Sequence, residues 1–155
     1  MNCCIYPLTD ADLDECIALW RVSEGINLNE SDTKPNLIMF LRRNPAMSCI
    51  AKMMDDTLAG AVLCGHDGRR GYLHHLAVDK RFKGQGIAKR LINACFDRLR
   101  SEGILKCNIF VLNENFEGAR FWDSQGWIRR DDFFIMQKEV TPVSESICRS
   151  HSSRY

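Results

Sequence analysis

Residues 73–91 limit what this chain can fold into more than any other stretch. An apolar run with a histidine pair (Leu73, His74, His75, Leu76, Ala77, Val78) is followed by a short basic turn. A loop of small residues then opens directly into a run with Ile87, Leu91, Ile92, Cys95, Phe96 and Leu99 at helical spacing. The pattern reads as strand, glycine loop, helix. A helix start carries unpaired N–H groups and about half a positive charge, so it holds an anion such as a phosphate wherever the approach is clear. Gly84, Gly86 and Ala88 keep that approach open.

The rest of the chain supplies elements around this unit. A first strand is expected from Cys3 to Leu8, then a helix capped by Thr9 with Asp12 three residues on, carrying Leu13, Ile17 and Trp20 and fading near Gly25. A polar loop over residues 26–32 leads to a second helix that starts near Thr33, accepts Pro35 in its first turn and stops at Asn44 and Pro45. Residues 47–54, 58–66 and 72–78 read as three strands joined by tight turns at 55–57 and 67–71, hence an antiparallel meander. After the glycine-loop helix, which Gly103 ends, residues 105–112 form a near-continuous apolar run, expected to be a strand covered on both faces and parallel to its predecessor across the crossover helix. Asn113 to Asn115 then cap a helix through Phe121 and Trp122 that Gly126 ends, and residues 127–139 are expected to supply one or two closing strands. The fold class is therefore α+β, with a central mixed, mostly antiparallel sheet flanked by helices. Residues 1–140 are expected to form one domain, with 141–155 a tail of little periodicity.

Composition narrows the function classes. A net charge of +1 gives no general electrostatic case for nucleic acid or an anionic membrane. Eight cysteines could indicate a disulfide scaffold, yet Cys49, Cys64, Cys95 and Cys107 sit in apolar runs, and no pair or cluster has zinc spacing. No metal site is expected. The N-terminal residues lack the basic start and apolar run of a signal peptide, and no segment has membrane-spanning length, so the expected setting is reduced and cytoplasmic.

Spacing decides among the familiar phosphate loops. A dinucleotide fingerprint needs a third glycine where this chain has Lys89, and a Walker-type loop needs Gly-Lys-Ser/Thr, which is absent. The series Lys83, Gly84, Gln85, Gly86, Ile87, Ala88 after Leu76, Ala77 and Val78 resembles instead the acetyl-CoA pyrophosphate loop of the GNAT acyltransferase superfamily, whose pattern is Arg/Gln-x-x-Gly-x-Gly/Ala. The series from Arg81 to Gly86 matches that pattern too. The element order over residues 1 to about 140 is similar to the GNAT order. Residues 115–127 resemble the family's second segment, Asn-x-x-Ala-x-x-x-Tyr-x-x-x-Gly-Phe, with Gly118, Trp122 and Trp127 in place of Ala, Tyr and Phe. The small single-domain bacterial branch is the nearest likeness.

The resemblance implies an N-acetyltransferase with a GNAT fold that moves the acetyl group of acetyl-CoA to a primary amine of a small molecule or protein by direct attack. It implies that the backbone of Leu76, Ala77 and Val78 pairs with the pantetheine arm, that Lys83, Gly84, Gln85, Gly86, Ile87, Ala88 and Lys89 cradle the pyrophosphate, and that Asn115 contacts the arm. Trp122 could pack there, but an indole N–H is donor only and cannot serve as the general acid that the family's Tyr often provides. A substrate amine of pKa about 10.4 must lose a proton before attack, and His74 and His75 are the candidate bases. Strand alternation would point the two to opposite faces, with His75 the favoured one for its closeness to Leu76. A backbone N–H near Leu76 is the expected oxyanion donor. Acceptor choice is expected to lie with Trp20, Glu24, Asn27, Asn29, Glu30 and Asp32. Expected partners are acetyl-CoA and an amine acceptor, with no nucleic acid and no membrane, and a homodimer is left open. Two other readings stand beside this one: a non-catalytic acyl-CoA sensor of the same fold, which Trp122 favours, and a nucleotide-binding module.

Overall fold

The computed structural model describes residues 2–142, and these fall into two compact units divided between Phe110 and Val111. The expected tail lies outside the described residues apart from its first two positions.

The first unit is built on a five-stranded sheet of order β1-β2-β3-β4-β5. Its strands are β1 (Cys3–Pro7), β2 (Cys49–Met53), β3 (Leu58–His66), β4 (Gly71–Val78) and β5 (Cys107–Ile109). The first three pairings are antiparallel, and β4 with β5 is parallel across the crossover helix, as expected. Two helices, α1 (Leu13–Arg21) and α2 (Lys34–Arg43), cover one face, and α3 (Ile87–Ser101) packs on the other.

Local chemistry explains the helix starts. Asp12 Oδ2 accepts from both the N–H and the hydroxyl of Thr9 at 2.9 Å, closing the expected cap around a short 3-10 turn before α1. Thr33 accepts from the N–H of Asn36, with Pro35 in the first turn of α2. On the inner face of α1 and α2, Leu13, Cys16, Trp20 and Leu37 bury against Ile50, Ala61, Leu63 and Ala77 of the sheet. On the opposite face α3 lies so close that a Cβ on Gly60 would meet Leu91, and one on Gly71 would stand 2.8 Å from the Leu99 methyl groups.

The last strand differs from expectation. β5 is only three residues long, and the flanking Leu105, Phe110 and Leu112 are exposed, so the apolar run is not covered on both faces. β5 ends the sheet, and its pairing with β4 stops after Leu73 and Ile109, so only a short part of the run has a partner to hold it extended.

The second unit, described by itself, holds α4 (Phe116–Ser124). Asn115 caps it by accepting from the Gly118 N–H at 2.9 Å. Gly118 lets the Asn115 side chain lie close over the first turn, where a Cβ would make that side chain shift. Gly126, at φ 83°, ends the helix in the left-handed region, and Trp127 folds back to donate its N–H to Trp122 O at 3.1 Å. The expected closing strands are not formed among the described residues after Trp127. Ile128, Phe133, Phe134, Ile135 and Met136 are exposed there, without the strand neighbours that would pair their backbone.

Candidate active site

The site is organised by an irregularity in β4. Leu63 registers with His74, but Ala61 registers with Ala77, so β4 carries one residue more than β3 over this interval. His75 absorbs it, with φ at 55° in the left-handed region. This is a β-bulge, and it overturns the expected alternation of the two histidines. Gly71 faces α3, where its Cβ would meet Leu99, so strict alternation would turn both His75 and Ala77 toward α3 as well. Instead Ala77 joins the core under α1 and α2, the His75 ring lies 5.5 Å from the Trp20 ring of α1, and the His74 ring lies 6.2 Å from Phe40 of α2. Both imidazoles thus stand on the same side of the sheet, with ring centroids 6.4 Å apart.

Their surroundings differ. His74 forms a cluster of nearly parallel rings with Tyr72 and Phe110, at 6.2 and 6.1 Å, and burial pushes its pKa below the usual value, with the neighbouring His75 adding and Asp32 opposing. His75 instead meets a carboxylate: its Nε2 is 2.8 Å from Oδ1 of Asp32, whose side chain is 9 % exposed. Asp32 is held in turn by the loop it ends, because its Oδ2 accepts from the Asn29 N–H at 2.9 Å around the 3-10 turn Glu30–Asp32. Trp20, expected among the acceptor-choosing residues, is fully buried. Its indole N–H has no hydrogen-bond partner among the described residues, a donor that costs about 1–3 kcal/mol to bury unmet.

Beyond the bulge, β4 has no pairing with β5 from His74 to Val78, so one edge of Leu76, Ala77 and Val78 is open to backbone pairing by an extended group. The chain then turns through Asp79, which caps the 3-10 turn Lys80–Phe82 and pairs with Arg81 at 2.8 Å. Arg81 is committed to that pair, which leaves Lys83 as the cation nearest the glycines in sequence. Gly84 and Gly86 adopt φ of 79° and 77°, and nothing lies within 4 Å of where a Cβ would stand at either. The first turn of α3 follows at Ile87, so its N–H groups face a loop clear of side chains. An extended thioester arm ending in a pyrophosphate fits this sequence of open strand edge, cation and bare helix start.

Other candidate residues are placed more plainly. Asn115 serves as the cap of α4, and Trp122 packs edge-on against Phe121 and Trp127 at 5.2 and 5.0 Å within its own unit. Cys64 is buried in β3, and burial pushes the Cys107 thiol up to about 12, which removes it as a thiolate nucleophile at neutral pH. No group of histidine, cysteine or carboxylate side chains able to hold a metal occurs among the described residues, and no helix among them is long and apolar enough to cross a membrane. Reading from sequence missed the carboxylate partner of His75, because Asp32 lies 43 positions away and nothing local links the two.

Comparison with known proteins agrees with this geometry. The model of the Acetyltransferase (GNAT) family matches residues 12–127. An acetyltransferase of Yersinia pestis is 30% identical over 104 residues, covering 67% of this chain and 72% of its own. Among solved structures, the PaiA N-acetyltransferase from Thermoplasma acidophilum in complex with coenzyme A superposes with a TM-score of 0.74 at 22% identity, over 86% of this chain and 94% of its own. Ard1 from Thermoplasma volcanium gives 0.73 at 18% identity, over 83% and 84%. With the mixed sheet, the open edge of β4 and the glycine loop already in place, these matches show that the chain belongs to the GNAT acetyltransferase family and takes acetyl-CoA as its donor substrate.

Proposed function

We propose that this acetyltransferase acetylates a primary amine of a small molecule or protein by direct attack, with His75 as the general base. The observation that carries the reading is the β4 bulge, which sets an imidazole on the open-edged half of the strand. Acetyl-CoA supplies a thioester whose carbonyl carbon the amine attacks and whose thiolate leaves. The chain's part is to bind, orient and move a proton. The backbone of Leu76, Ala77 and Val78 holds the pantetheine arm, and residues 83–89 hold the pyrophosphate through backbone N–H groups, with Lys83 adding charge. A bulge leaves ladder groups unpaired, and the Leu76 N–H is the donor for the carbonyl oxygen as charge develops on it. His75 takes the amine proton. His74, whose pKa burial lowers, lines the same face. Trp122, standing where the family often has Tyr, has no transferable proton. The reaction then relies on the thiolate leaving unprotonated, which a thiol of pKa about 8.5 allows. Residues 1–140 form the catalytic domain, and the setting is the cytoplasm.

Thiol release from acetyl-CoA, followed with a panel of polyamines, amino acids, aminosugars and peptides with free N-termini, tests the proposal. Amine-dependent release supports it. A Tm rise with acetyl-CoA and no release with any amine identifies a non-catalytic acyl-CoA sensor instead.

A further inference from the structure

The pairing of Asp32 with His75 assigns a tautomer, and with it a role for a residue outside the glycine loop and β4. An ionised carboxylate accepts hydrogen bonds and donates none, so the 2.8 Å contact requires the proton on Nε2 of His75. The lone pair of the neutral ring is then on Nδ1. We infer that Asp32 is a positioning residue: it holds His75 with Nδ1 as its one basic atom and stabilises the imidazolium formed when that atom takes the proton of the attacking amine.

This inference rests on His75 being the base. Three observations support it. The Asp32 side chain is 9 % exposed and that of His75 16 %, so water competes little for the contact. Asp32 does not swing freely, because its second oxygen accepts from the Asn29 N–H and locks the carboxylate to the 3-10 turn. The Trp20 ring, fully buried, flanks the imidazole at 5.5 Å and restricts its rotation. The remaining titratable neighbour, His74, is held toward its neutral form by burial and does not compete for the carboxylate. In the step itself the C–N bond forms and the C–S bond breaks. The amine proton moves to Nδ1, the thiolate leaves unprotonated, and the imidazolium then releases the proton to solvent, so the ring returns to its starting tautomer.

The test reads the tautomer directly. In the uniformly 15N-labelled full chain, long-range 1H–15N correlation at neutral pH should show His75 protonated on Nε2 and bare on Nδ1. In Asp32→Asn the carboxamide can keep the bond from Asn29 through its oxygen and present its NH₂ to the ring, which should transfer the proton to Nδ1. A wild-type His75 protonated on Nδ1, or a tautomer unchanged in Asp32→Asn, overturns the inference. The wild-type spectrum decides even if the variant folds poorly. With an amine that turns over in the thiol-release panel, Asp32→Asn should lower kcat about tenfold or more while leaving KM for acetyl-CoA within about twofold, which a mere loop latch would not do. His75→Gln separates the two levels of the proposal. Full activity in that variant removes His75 as the base, whatever tautomer the spectrum shows.

Discussion

The two halves of β4 belong to one continuous strand and do opposite work. From Gly71 to Leu73 the strand is paired on both sides, to β3 and to β5, and is pressed so tightly on α3 that Gly71 leaves no room for a side chain. From His74 to Val78 the β5 pairing is gone, one residue is extra, and His75 sits in a backbone region that favours glycine. The first half contributes stability. The second carries strain and unpaired backbone, which are useful only if something binds there. A folded chain keeps such a segment because the paired half and the core beneath Ala77 hold it in place.

The sharpest way to break this contrast is His75→Gln. On the open half it should cost about 10²–10⁴-fold in kcat, the usual contribution of a general base, with little change in Tm. Steady-state kinetics and a thermal melt on the same preparation check both parts. Next is the loop that the open half feeds. Gly86→Val should raise KM for acetyl-CoA about tenfold or more, because a branched side chain at φ 77° both strains the backbone and stands over the bare helix start. Gly68→Val is its control, since Gly68 has φ 90° in the hairpin turn and should show the strain as a lower Tm with KM unmoved. Gly71→Ala probes the paired half and should invert the first result: a loss of about 1–3 kcal/mol by denaturant titration as the new Cβ displaces Leu99, with kcat and KM kept.

The smallest effect concerns the junction. Burial holds His74 below the ordinary histidine pKa, so below about pH 6.5 the unfolded chain takes up a proton that the folded chain resists. Stability is therefore full above that pH and falls as pH drops through the window beneath it. Tm measured at about pH 7.5 and 5.5 should show this decline, and His74→Asn should flatten it.

What the sequence disclosed follows from the range of the forces concerned. The Thr9 and Asp12 cap, the stop at Gly126 and the spacing of Ile87, Leu91, Cys95 and Leu99 depend on neighbours within a turn or two, and each was legible. The meander and the parallel last pair were legible because loop lengths restrict strand direction. Alternation failed at His75 because a bulge depends on the register of β3 against β4, which no local pattern encodes. The contact from Asp32 was hidden for the same reason, since it forms only after the loop ahead of α2 folds back over the sheet. The run after Trp127 has strand composition, yet composition does not provide a hydrogen-bonding neighbour, and the exposed Phe134 and Met136 show the difference.

The extra residue in β4 also bears on how such a catalyst can change over time. The common facing of His74 and His75 is fixed by a count of residues between two registered pairs, Leu63 with His74 and Ala61 with Ala77. Side-chain identity at those two positions can therefore be exchanged while the scaffold and the donor grip stay as they are. Deletion of one residue there would instead restore the alternation and turn one imidazole toward α3. The common facing of these two positions survives substitution, but it does not survive a change of length.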